Sequence, residues 1–161
     1  VNVDLNQVLE TSATTVFSTM LNTPLEVDRE SDAFLEGDYH IAGAVGLTGA
    51  HNGIIYLYST AVFAREMTCR LLGMQDAEIE GDEMVNDAFG ELTNMVAGVI
   101  KSKLENLNQP CIMTVPSVVR GNDFRIEAVT GVERRSIYFR CAGGRILVEA
   151  LIKTVDSQEQ A

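Results

Sequence analysis

From about Asp82 to Leu104, apolar residues return every three or four positions, and no other run constrains the fold as much. Met84, Val85, Ala88, Phe89, Leu92, Met95, Val96, Val99 and Ile100 fall together on one side of a helix. A helix this apolar along one side has to be covered there by other elements. The opposite side carries Asp87, Glu91 and Asn94. At about 100° per residue these three share one narrow sector. A carboxylate and a carboxamide therefore stand side by side on the solvent face of a rigid helix, where they can work on a partner's active site.

Exposed helix faces carry Asp, Glu and Asn for an ordinary reason too, which is that water favours them. Two features point beyond that. Asn is a poor helix former, and Glu, Lys or Ala would fill an exposed site better. The face also lacks the Glu–Lys pairing of a solvated helix. Gly90 and Gly98 fall on or near the same face, and each costs about 1 kcal/mol relative to Ala in a helix interior. Close approach of a partner's backbone would offset that cost.

The rest of the chain supplies the cover. Leu5 to Leu21 is an amphipathic helix with Asp4 as its cap, ended before Pro24. Leu25-Glu26-Val27 is a short strand, and Asp28 to Asp38 is a polar loop. His40 to Thr48 and Gly53 to Ser59 read as strands, with Asn52-Gly53 as their hairpin turn. Thr60 to Leu72 is a helix capped by Thr60 and stopped at Gly73. Cys111 to Val119 is a strand interrupted by Pro116, which places it at an edge or a bulge. Phe124 to Ala128 is a weak strand. Arg134 to Cys141 and Arg145 to Val155 are strong ones, joined by a tight turn at Ala142-Gly143-Gly144. Three helices and about six strands, without βαβ alternation, predict an α+β fold: a mainly antiparallel sheet packed with long helices. The 161 residues fit one domain over 1–161, with a flexible tail from about residue 156.

Charge narrows the partner. The chain carries 23 acidic and 12 basic residues, a net charge of -11. That opposes binding to nucleic acid or to an anionic membrane surface, and no apolar run is long enough to span a bilayer. A basic or mixed protein surface fits better, although acidity also serves solubility. The acidic lead-in of Asp76, Glu78, Glu80, Asp82 and Glu83 complements the dipole of the following helix, so it needs no metal to explain it. Cys69, Cys111 and Cys141 are dispersed among apolar neighbours and read as reduced core thiols, which points to the cytoplasm. The start, Val1-Asn2-Val3-Asp4, lacks a signal-peptide layout. His40 and His51 read as loop or strand-end residues without ligand spacing. No Walker A, GxGxxG or GxSxG motif occurs.

The motif Asp87-xxx-Glu91-xx-Asn94 resembles the signature of the CheC/CheX/FliY family of phosphatases, which remove the aspartyl phosphate from the chemotaxis response regulator CheY. The family pattern is Asp or Ser, three residues, Glu, two residues, Asn, on an exposed helix. The order of elements is similar to the family from roughly Leu5 to Val155. CheC-type members repeat the motif on their first helix. Here that stretch offers Asn6, Glu10 and Ala13, and Ala13 has no amide to direct water. The single motif is similar to the CheX arrangement, which implies a homodimer.

The resemblance implies that Asn94 positions the attacking water and that Glu91 docks on the partner's active-site lysine. Asp87, Gly90 and Gly98 would serve partner binding. The chain itself would hold no cofactor, because a receiver domain brings its own divalent metal (Mg²⁺). A noncatalytic receiver-binding or flagellar-switch module of the same fold is the competing reading. A structural dimer with no receiver partner is a third.

Overall fold

The computed structural model describes residues 3–29, 39–122 and 124–154. Helix α1 spans Leu5–Leu21; the Asp4 carboxylate accepts from the Gln7 N–H at 3.1 Å, and Asn22 ends the helix in the left-handed region. Strands β1 (Glu26–Val27), β2 (Tyr39–Gly49) and β3 (His51–Thr60) follow. Helix α2 spans Ala61–Leu72, capped by the Thr60 hydroxyl and ended by Gly73 at φ +64°. A short 3₁₀ turn, Asp76–Glu78, leads to α3, Asp82–Asn106. Four strands complete the chain: β4 (Cys111–Met113), β5 (Ser117–Asn122), β6 (Glu133–Cys141) and β7 (Gly144–Thr154).

The strands form one seven-stranded sheet in the order β1-β6-β7-β3-β2-β4, with β5 also on β2, and every pairing is antiparallel. The α+β fold class read from the sequence is the one observed. Alternate strand residues point to one face, where Ile41, Val45, Ile55, Leu57, Ile146 and Val148 join the helices in a single core. Each helix contributes one side to that core. Val8, Leu9 and Phe17 come from α1, Phe63 and Met67 from α2, and Phe89, Leu92, Val96 and Ile100 from α3. A smaller apolar cluster of Ala42, Tyr58 and Leu147 lies apart from that core, with Phe124 and Ile126 packed against it.

Two expectations are corrected. Asn52 and Gly53 are not the hairpin turn. Both lie within β3, and the chain reverses around Ala50. Gly53 is required for a different reason: a Cβ there would stand 2.1 Å from the Leu151 carbonyl oxygen, because β3 and β7 approach closely. Residues 124–128 form no strand. Arg134 occupies the Ile126 carbonyl, and the alternating side chains pack on the smaller cluster instead of pairing with a neighbour. The interruption and the edge position expected at Pro116 are observed: the stretch forms two strands, β4 and β5, both at the sheet's edge on β2. Strand β7 is paired on both sides, and β1 covers β6 at Phe139 and Arg140. The tail from about 156, and most of the loop read at Asp28 to Asp38, lie outside the described residues.

Candidate functional site

Helix α3 lies on the sheet through Thr93, Gly90 and its apolar side. Thr93 is fully buried, and its hydroxyl donates to the Phe89 carbonyl at 2.8 Å. It faces Gly43 of β2, where any side chain would collide with it. With that contact fixing the helix's rotation, Asp87 and Glu91 are exposed and Asn94 is half-buried beside them. Successive members of this stripe are one turn apart, with Cβ atoms about 5–6 Å from each other. Among the described residues, the side chains of Asp87, Glu91 and Asn94 make no hydrogen bond or ion pair. Their polar atoms are available to a partner.

The two glycines separate. Gly98 continues the stripe, and a Cβ added there would meet nothing within 4 Å. Gly90 lies under β5 rather than on the open face; it is buried, with Val118 and Pro116 at 3.6 and 3.9 Å from an added Cβ. Its place is against its own chain. On α1, Ala13 is fully buried and Asn6 is exposed, so that helix presents no second stripe.

Two features of the site were not evident in the sequence. Arg120 of β5 reaches the first turns of α3, where it donates to the Asn86 amide oxygen and lies 3.7 Å from the Asp82 carboxylate. It ties the start of the helix to the sheet next to Asp87. Its position two residues beyond Val118 on the helix-facing side of β5 is the only signal, and that needs the strand register. The second is a groove of about 670 Å³ between Leu71 and Leu72 at the end of α2, residues 80–84, and Asp87, Ala88 and Glu91 of α3. It requires two helices to be placed side by side, which no local pattern dictates. Earlier in the lead-in, a hydrogen bond from Arg65 at 2.6 Å holds the Asp76 carboxyl below the ordinary range.

Chemically, the stripe offers an acceptor-donor amide and a carboxylate on a rigid helix, with a groove alongside. It contains no nucleophile and no base held by a third group. Such a surface can position a water and pair with a cation on another protein.

Comparison with known proteins agrees with this reading of the fold. Residues 41–140, which include the whole stripe, match the family model for the chemotaxis phosphatase CheX. The CheY-P phosphatase CheX of Thermotoga maritima is 33% identical over 95 residues, a match covering 58% of this chain and 60% of that protein. The chain thus spans about three fifths of the length of that relative. A crystal structure of a CheX chemotaxis protein from Desulfovibrio desulfuricans superposes with a TM-score of 0.79 at 25% identity, covering 94% of this chain and 100% of that one. The CheX of the Borrelia burgdorferi CheX-CheY-BeF3-Mg²⁺ complex has the same fold, with a TM-score of 0.75 at 22% identity over 94% of this chain and 99% of that one.

Proposed function

The chain belongs to the CheX family of chemotaxis phosphatases, and from that premise we propose that it hydrolyses the aspartyl phosphate of a CheY-type response regulator. The observation that carries the reading is the exposed Glu91 with the half-buried Asn94 beside it on α3, their side chains without a partner among the described residues, inside the segment matched to the family.

An aspartyl phosphate is an acyl phosphate. Water attacks phosphorus in line with the bond to the aspartyl oxygen, that bond breaks, and the carboxylate leaves with the electron pair. The carboxylate is a good leaving group, so the helper has to supply positioning and little else. The Asn94 amide oxygen accepts a hydrogen bond from the attacking water and aims it. Glu91 pairs with the receiver's active-site lysine and aligns the two surfaces. Asp87, one turn earlier, extends the contact. The Mg²⁺ belongs to the receiver, and this chain holds no cofactor. The Borrelia CheX found in a complex with CheY, BeF3 and Mg²⁺ supports a CheY-type receiver as the partner.

The reading extends to a cytoplasmic homodimer. No helix among the described residues is long and apolar enough to cross a membrane. The outer side of β4 and β5, and of β6 before Tyr138, pairs with no strand among the described residues, so two sheet edges are open to a second copy.

The test is decay of a phosphorylated CheY-type receiver with and without the protein, run beside Asn94→Ala. The expected result is faster decay with the wild type. Asn94→Ala loses about 10²-fold in turnover while keeping its affinity. Binding without acceleration would instead identify a noncatalytic module.

A further inference from the structure

We infer that the groove beside Asp87 and Glu91 docks a short basic segment of the receiver that carries an apolar side chain at its tip; the inference rests on the proposed phosphatase reading. Three observations converge on that occupant.

The first is continuity. Asp87 and Glu91 belong both to the outward stripe and to the groove's wall. A partner whose phosphoryl group lies over Glu91 and Asn94 has to lay its adjoining surface across the groove. The second is the floor, formed by Leu71, Leu72, Met84 and Ala88. Leu72, at the last turn of α2, is 46% exposed, so a large apolar side chain is open to water at the groove. Met84 is unbranched and adapts to what sits on it. A volume of about 670 Å³ takes one loop or one helical turn.

The third is charge. The rim carries Glu80, Asp82, Glu83, Asp87 and Glu91. Among the described residues only Asp82 is in an ion pair, with Arg120 at 3.7 Å. The α3 dipole offsets Asp82 and Glu83 in its first turn, which leaves the excess negative charge at Glu80, Asp87 and Glu91. A lysine or arginine beside an apolar tip complements such a rim, whereas an acidic segment would be repelled. The groove would therefore select among receivers by the surface next to their phosphorylation site, separately from the chemistry at Asn94.

The experiment uses Leu72→Gln and Glu80→Lys, which lie outside the catalytic pair and at exposed positions. Binding is measured to a CheY-type receiver loaded with beryllofluoride and Mg²⁺, at low and high salt. Decay of the phosphorylated receiver is followed in parallel, and sedimentation reports the oligomeric state. Each variant should raise Kd by about fivefold or more, with turnover at saturating receiver within about twofold of wild type. Glu80→Lys should also flatten the salt dependence of Kd. Unchanged Kd in both variants, with wild-type acceleration intact, overturns the groove and leaves the phosphatase reading standing. Unchanged Kd with an altered oligomeric state assigns the groove to a second copy and also overturns the inference. A wild-type protein that binds without accelerating decay ends the phosphatase reading, and Kd alone then decides the groove. A wild type that neither binds nor accelerates overturns both.

Discussion

Gly43 of β2 and Thr93 of α3 meet so closely that a Cβ at Gly43 would lie 1.9 Å from the Thr93 hydroxyl oxygen and 2.8 Å from its Cβ. Thr93 is fully buried and its hydroxyl is committed to the Phe89 carbonyl, so it cannot swing away. The glycine thus lets the backbone of α3 settle onto the sheet, and the threonine fixes the helix's rotation. Asn94 is the next residue, so its aim depends on this contact.

Gly43→Ala should therefore cost about 1–3 kcal/mol of stability, the usual range for overpacking. Thr93→Ala in the same chain should restore part of it, because it removes the hydroxyl at 1.9 Å but leaves the Cβ at 2.8 Å. Urea denaturation of the two single variants and the double variant measures this. Turnover should fall more in Gly43→Ala than its loss of folded protein explains, since a helix displaced by a fraction of an ångström misdirects the water. Additive stability losses in the double variant would refute the contact.

How far the sequence reached follows from which forces are local. The ends of α1 and α2 were legible because Asp4, Thr60 and Gly73 satisfy helix termini through residues adjacent in the chain. The Asp87–Glu91–Asn94 stripe was legible because helical periodicity alone assigns faces. Gly53 misled because a glycine demanded by close strand approach looks the same in sequence as one demanded by a turn. Residues 124–128 misled because alternation reports two-sided packing and not a pairing partner. Gly43, Arg120 and the Leu71–Leu72 wall were out of reach, since each acquires its role from an element 34 or more positions away or from a neighbouring helix. The roles assigned to Asn94 and Glu91 came from the resemblance, and the phosphoryl-decay experiment is their test.

Gly98→Ala separates stability from binding. The position is in the interior of α3 with open space around it, so alanine should stabilise the fold by about 0.5–1 kcal/mol. The same methyl group would stand on the stripe one turn beyond Asn94, on the face a partner approaches. The variant should melt higher and bind the receiver several-fold more weakly. A variant that melts higher and binds normally would show that the glycine does not serve partner approach.

The sheet holds a buried carboxylate away from the site. Glu149 is 3% exposed and accepts from Ser136 at 2.7 Å, Arg134 at 3.2 Å and the Tyr58 hydroxyl at 3.4 Å. Burial first, and then the Glu149 charge, push the Tyr58 phenol far above its ordinary value. The protonated phenol is thus the form the fold holds, so this contribution is complete below about pH 10 and is lost as pH rises beyond it. Arg134→Met should cost about 1–2 kcal/mol, at the low end for a buried ion because Arg134 is 38% exposed. Arg134→Met with Glu149→Leu should cost less than the sum of the two, because no carboxylate is then left unpaired. A urea-denaturation cycle with additive losses would rule out the coupling.

His51, at the start of β3, makes acid stability testable at one residue. It is 4% exposed, its two ring nitrogens have no hydrogen-bond partner among the described residues, and burial lowers its pKa from 6.5. A lowered pKa means that the unfolded chain binds the proton more readily than the native one. Stability therefore rises with pH in this window and is lost as pH falls below about 6.5. His51→Leu removes both the unpaired nitrogens and the titration. At about pH 7.5 it should be more stable than wild type by ~1 kcal/mol. The difference should widen as the pH is taken down through about 6.5 to about 5.5, since the carboxylates titrate alike in both proteins. Urea midpoints that stay parallel across that range would mean that His51 is not protonated on unfolding.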